Sequence, residues 1–267
     1  MKKIFSSSSF ILFVVCFISM LLVLSCKKKD EQIGQNGQIG QIQQVKSCRN
    51  PNNPYDSLAS IHNVELSYLI THATLPIGRM SYVFAEFDTL FKCKTPSWFY
   101  HDSTFQKLIT ESQNANSIHD FLTNGSYMSS LGIAYSDTID AKMALFVPID
   151  SANFFNEIIN LETRISSNTS LNSQDKKILL MEAAISRYSA SYWSNSRNQQ
   201  LWDLRYPWGQ LLGSDAHDAM VGGLAGAAVG GTVTLGTCTV PAWVGGAVIG
   251  GAGGSAAYAF GYATGWW

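Results

Sequence analysis

Residues 219–260 read AMVGGLAGAAVGGTVTLGTCTVPAWVGGAVIGGAGGSAAYAF. No residue after Asp218 carries a formal charge, and 16 of the 22 glycines lie from Gly209 onward. The glycines are ordered. Gly222, Gly226 and Gly230 recur every fourth residue, as do Gly246, Gly250 and Gly254. Every fourth residue falls on nearly one helix face, so each triplet predicts a smooth groove into which a second helix backbone can settle. Thr232–Pro241 interrupts the pattern with polar residues and a proline. The stretch therefore predicts a pair of glycine zippers on two helices in a hairpin, about 219–235 and 241–260. At 1.5 Å per residue these helices are roughly 26 and 30 Å long, about one bilayer core. Tyr258, Tyr262, Trp266 and Trp267 suit an interfacial aromatic belt.

Three environments are compatible with such a hairpin. In lipid, the backbone must pair internally, which favours helix despite glycine. The favoured expectation is thus membrane association or self-association through residues 219–260. In water, the six glycines of Pro241–Phe260 cost about 1 kcal/mol each relative to alanine. There the helix needs the rest of the protein to pack against, or it remains an unstructured tail.

Working back from the tail, residues 55–210 predict a mostly helical body. Leu58, Ile61, Val64 and Tyr68 share a face at helical spacing, after a turn at Asn53-Pro54 and a cap at Asp56. Phe154, Ile158, Leu161 and Ile165 repeat that spacing, as do Ile178, Met181, Ile185, Tyr188 and Tyr192. The polar turn Asn168–Ser173 joins the last two into an antiparallel hairpin, with Ser173 as N-cap and Asp175 in the first turn. Phe84–Phe91 and Ala144–Ile149 alternate in a way that equally suits short strands. The aromatic group Tyr188, Tyr192, Trp193, Trp202, Tyr206 and Trp208 suits core packing first, and an interface or ligand platform second. The fold class expected is mainly α.

The N-terminus directs localisation. Lys2 and Lys3 precede Phe10–Leu24, fifteen residues without charge. That is the length of a signal-peptide apolar region rather than a comfortable membrane span. It ends in Val23-Leu24-Ser25-Cys26. This resembles a bacterial lipobox and implies cleavage of residues 1–25, diacylglycerol on the Cys26 thiol and a fatty acid such as palmitate on the new amine. The other reading is an uncleaved anchor, since Ile4–Cys26 is uncharged throughout. Residues 26–54 predict a flexible linker, with the tetrad Gln-Ile-Gly-Gln at 32–35 and 38–41 and a reach on the order of 30 Å. Lys27 is not an acidic retention signal, so the outer membrane is favoured over the inner.

Charge and motifs exclude several functions. Loss of Lys2 and Lys3 leaves 16 basic against 19 acidic groups, a formal charge of −3, so no basic surplus exists for nucleic acid. No Gly-x-Ser-x-Gly elbow, phosphate loop or His-Glu-x-x-His occurs. His101-Asp102, His119-Asp120 and His217-Asp218 are dipeptides whose members diverge by about 100° on a helix, so none is a paired site alone. No cofactor, metal or catalytic residue is expected, and a non-enzymatic structural or interaction module follows. After Cys16 and Cys26, a Cys48–Cys93 disulfide is compatible with an oxidising envelope, as are two buried thiols.

Asn53-Pro54-Tyr55-Asp56, His62-Asn63, Ile178-Leu179-Leu180, Arg187-Tyr188-Ser189 and Tyr192-Trp193 together resemble a group of uncharacterised envelope lipoproteins of the Bacteroidota. The resemblance implies location and adds no chemistry. The Gly/Ala-rich tail ending in aromatics also resembles two-peptide bacteriocins, which implies an alternative role as carrier of a pore-forming C-terminal peptide. This tail lacks the cationic end those peptides usually carry.

Overall fold

The computed structural model describes residues 48–72, 102–195, 208–235 and 238–264. Eight α-helices form there: α1 (Asp56–His72), α2 (Ser103–Asn114), α3 (Ile118–Asn124), α4 (Ser130–Ala144), α5 (Ser151–Ser167), α6 (Ser173–Ser194), α7 (Trp208–Val229) and α8 (Ala242–Thr264). A 3₁₀ turn, Pro148–Asp150, enters α5. A two-stranded antiparallel hairpin, β1 (Thr232–Leu235) with β2 (Cys238–Pro241), links α7 to α8. The fold is mainly α.

Helix α6 is the hub. Every residue from Ile178 to Ser194 is buried, so this helix meets protein on all sides. Helices α1, α4, α5, α7 and α8 all pack on it. Its start is capped by Asn172, whose side chain accepts from Asp175 N at 2.8 Å. The cap is thus one residue earlier than the Ser173 expected. Helices α5 and α6 form an antiparallel hairpin: Glu162 meets Arg187, and Lys176 Nζ donates to Ser166 O. Phe154, Ile158, Leu161 and Ile165 are the buried stripe of α5, as the spacing predicts.

Helix α1 corrects the sequence reading. Its buried face is Ala59, His62, Glu65, Leu66 and Leu69, whereas Val64 is 49% exposed and Leu58 and Ile61 are only partly buried. The helix is rotated by roughly one residue, about 100°, because its inner face carries polar groups that apolar spacing does not detect. Asp56 opens α1 but spends its carboxylate on Arg187, Tyr188 and Asn50 N instead of capping. Ala144–Ile149 is no strand. It is the end of α4, an extended residue at Val147 and the 3₁₀ turn. Phe84–Phe91 lies outside the described residues.

The tail forms two helices that reach further at their outer ends than expected, but α7 stops at Val229, and Thr232–Leu235, expected as the end of the first helix, is strand β1, because Gly230 and Gly231 turn the chain at positive φ. Helices α7 and α8 pack against each other more extensively than any other pair among the described residues. From Ala242 to Ser255, α8 is buried at every residue except Trp243, which is partly buried. The segment lies inside the body, against α7, α1 and α6. No helix among the described residues is long and apolar enough to cross a membrane.

Candidate functional site

The zipper glycines bring the backbones of α7 and α8 into direct contact. A Cβ on Gly222 would fall on the carbonyl of Gly246, and a Cβ on Gly246 on the carbonyl of Gly222. Gly226 stands likewise against the Ala242 carbonyl, and Gly250 against that of Asp218. At Gly254 a Cβ would meet Ser214 O at 2.7 Å. Five of the six predicted glycines thus seat one tail helix on the other. Gly230 is the exception and corrects the sequence reading. It lies past the end of α7 at φ +74°, with nothing near its Cβ position, and donates its N–H to Gly226 O at 3.0 Å. It ends the helix in a left-handed conformation that glycine adopts without penalty. Gly251, off the four-residue register, is where α8 meets three helices at once. A Cβ there would stand 3.1 Å from Asp215 O, 3.1 Å from Ile185 and 3.2 Å from His62.

Around α6 the close approach encloses polar chemistry. The Arg187 guanidinium is fully buried and binds Asp56 Oδ1 at 2.8 Å and Glu162 Oε1 at 2.9 Å through Nη2. Its Nε donates to Glu162 at 3.2 Å, and its Nη1 to the Cys48 carbonyl. Asn53 Nδ2 adds bonds to Glu162 Oε1 at 2.7 Å and Leu180 O at 2.8 Å, and Tyr188 OH donates to Asp56 Oδ2. Burial alone would lower the Arg187 pKa; Glu162 and Asp56 outweigh it and hold it above the ordinary value. This network fastens segment 48–56 to α5 and α6. Cys48 is buried beside it, and burial pushes its thiol up to about 11, against a smaller lowering by Ser191. It is a thiol rather than a nucleophilic thiolate at neutral pH. Its proposed disulfide partner Cys93 lies outside the described residues, as does Cys26.

A second cluster joins α1, α6 and α7. Ser189 Oγ donates to Asp215 Oδ2, and His62 Nε2 lies 3.5 Å from the same oxygen. His62 Nδ1 stands 3.0 Å from Asn63 Oδ1. In a nucleophilic triad the imidazole stands between hydroxyl and carboxylate. Here the carboxylate stands between the other two, all three side chains are buried, and Gly251 of α8 closes over His62. The arrangement braces three helices.

Two carboxyl groups nearby are enclosed without charge partners. Neither oxygen of Glu65 makes a hydrogen bond, and burial raises its pKa well above the usual range. The Glu182 carboxyl accepts from Ser136 at 3.3 Å, and its second oxygen has no partner among the described residues. Burial, then Asp140, raise it strongly, Ser136 acts the other way, and Asp137 adds a smaller rise. Asp218, partly buried on α7, is pushed up to about 7 by burial, with His217 opposing and Asp215 adding.

Of the His-Asp dipeptides, His119 pairs with Asp137 at 3.0 Å on the surface, and His217 with Asp140 at 2.9 Å, half-buried. In both, the partner comes from α4 and not from the adjacent aspartate. His101 lies outside the described residues. Among the described residues no cluster of His, Cys, Asp or Glu has metal-holding geometry. The concavity between α4 and α5, lined by Thr138, Lys142, Glu157, Asn160, Leu161 and Arg164, encloses about 180 Å³. Small-molecule sites usually offer roughly 300 Å³ or more.

No family model, curated protein or solved structure matches the chain. The stretches that carried the resemblance nevertheless meet in space. Asn53 bonds Leu180, Asp56 bonds Arg187 and Tyr188, and His62 and Ser189 share Asp215. What periodicity missed are these polar contacts, residues 53, 56 and 62 with 162, 187, 189 and 215, and the buried carboxyls of Glu65 and Glu182. The visible signal was charge and polarity inside otherwise apolar helices. The aromatic group is core where described: Tyr188, Tyr192, Trp193 and Trp208 are buried, with Trp193 Nε1 donating to Ser255. Trp202 and Tyr206 lie outside the described residues.

Proposed function

We propose that the protein is a bacterial cell-envelope lipoprotein, held to the membrane by acylated Cys26, that acts as a non-enzymatic structural or interaction module. The observation that carries the anchor is Val23-Leu24-Ser25-Cys26 at the end of an uncharged run behind Lys2 and Lys3. Two or three acyl chains make attachment stable without a spanning helix. The helical body supports the modular role. Arg187, Asp56 and Glu162 join α1, α5 and α6, Asp215 of α7 meets Ser189 and His62, and the glycine grooves are filled by the protein's own helices. On this reading the tail is the core of the module, and the lipid is its attachment to the outer membrane.

The test is metabolic labelling with palmitate, together with mass analysis of the mature N-terminus. Wild type takes up label and begins at a diacylated Cys26, while Cys26→Ala takes up none. A mature chain that retains residues 1–25 without label overturns the reading.

A further inference from the structure

Three large apolar side chains stand in solvent on one short loop between α4 and α5. Ile149 is 98% exposed, Leu145 77% and Val147 49%, while Phe146 between them is 4% exposed. The alternation is built. Val147 is extended, at φ −130° and ψ 133°, so its side chain points away from the side on which Phe146 lies. Phe146 turns inward and seats its ring on Phe154, 5.1 Å away. Pro148 opens the 3₁₀ turn, and Asp150 N closes it on Val147 O at 3.0 Å. The loop is held from beneath and presents three aliphatic groups outward.

The loop lies near the level of α6 at which the described chain begins. Helix α4 runs parallel to α6: Ser129 bonds Asp175, Ser136 bonds Glu182, and Met143 meets Ser186. Leu145 therefore projects just beyond the level of Ser186. Cys48, the first described residue of the stretch expected as linker, stands near the same level, bonded to Arg187 and Ser191, so residues 48–54 of that stretch are packed on the body. Residues 27–47 separate Cys48 from Cys26, and a chain of that length spans at most about 80 Å.

We propose that Leu145, Val147 and Ile149 form a lipid contact that seats the body on the bilayer to which Cys26 ties it. The geometry of the tether rests on acylation of Cys26; the contact itself is a property of the loop. The chemistry favours lipid by apolar insertion over charge attraction. The mature chain is acidic, and Asp150 adjoins Ile149, so anionic head groups add nothing. Asp150 also keeps the insertion shallow, and the neighbouring cation Lys142 is engaged with Glu157 at 3.1 Å. The loop dips into the head-group boundary, as interfacial elements do.

The experiment uses the mature chain with Cys26→Ser, so that no acyl group contributes. Co-sedimentation is measured with vesicles of phosphatidylethanolamine and phosphatidylglycerol, then with phosphatidylcholine alone. Wild type binds both, with little change as salt rises. The triple variant Leu145→Ser, Val147→Ser, Ile149→Ser loses about tenfold or more of its partition coefficient and keeps its melting temperature, since these side chains are outside the core. Equal partitioning of the two chains, or no binding by either, overturns the proposal. So does a wild-type dimer that the triple variant disperses without any vesicle binding, which would make the loop a contact between copies. Failure of palmitate labelling at Cys26 would sink the lipoprotein reading while leaving this vesicle result to stand or fall alone.

Discussion

Gly246→Ala places a methyl group on the Gly222 carbonyl at the centre of the α7–α8 contact. An ordinary carbon–oxygen approach is about 3.3–3.6 Å. The new Cβ would intrude by on the order of 1 Å, against backbone that has no rotamer to change. The neighbouring contacts, Gly226 on Ala242 and Gly250 on Asp218, are equally tight, so the helices cannot pivot away locally. Overpacking of this kind costs about 1–3 kcal/mol, and the absence of a yielding side chain puts this site at the upper end. Alanine recovers about 1 kcal/mol of helix propensity, leaving a net loss of about 2 kcal/mol. For a body of this size that lowers the melting temperature by about 4–8 °C. Gly213→Ala is the control on the same hairpin. Only His217 Cε1, at 4.0 Å, stands near its Cβ position, so propensity alone acts and the variant gains about 0.5–1 kcal/mol. Circular dichroism melts of the mature Cys26→Ser chain in detergent-free buffer measure both. Opposite signs are expected. If Gly246→Ala melts at or above wild type, the two helices are not in backbone contact in water, and the account of the tail as core is wrong.

Three further outcomes are expected. Arg187→Met leaves Asp56 and Glu162 buried and uncompensated, a loss of about 3–5 kcal/mol, visible as a large fall in the urea midpoint; a loss below about 1 kcal/mol would mean that water reaches the network. Glu65 binds its proton more tightly folded than unfolded, so stability falls as pH rises from its unfolded pKa towards its folded one; Glu65→Gln flattens that decline in urea titrations across pH, and an unchanged slope would show that Glu65 is not the group responsible. Cys48 has a buried thiol pushed up to about 11, so its alkylation by iodoacetamide at neutral pH, followed by peptide mass spectrometry, proceeds only at the rate of unfolding, whereas labelling within minutes would place it on the surface.

Much of the fold was legible because apolar burial leaves a period. The stripe Phe154, Ile158, Leu161 and Ile165 identified α5 and its inward face, and the glycine steps identified α7 and α8 as partners. The site was less legible. Helix α1 turns His62 and Glu65 inward and Val64 outward, an orientation set by Asp215, Ser189 and Gly251, residues well over a hundred positions away. No spacing within α1 encodes those neighbours. The alternation at Ala144–Ile149 was real, but a strand and an exposed loop pinned by one phenylalanine share it.

By itself the sequence determined that the chain is helical, that its tail carries glycine at helical spacing suited to backbone-to-backbone contact, and that Val23-Leu24-Ser25-Cys26 ends an uncharged run. Those properties follow from side-chain size, charge and local spacing. Only the tertiary structure decided what the tail touches. A glycine groove is the same surface whether a lipid-embedded copy or the protein's own helix fills it, since dispersion and close approach are indifferent to the source of the second backbone. In this fold α7 fills the groove of α8, and α1 and α6 cover the rest. The charges of Arg187, Asp56 and Glu162 could not be paired from sequence for a similar reason. A Coulomb partner is fixed by distance in space, and the three lie on segments that only the packing around α6 brings within 3 Å.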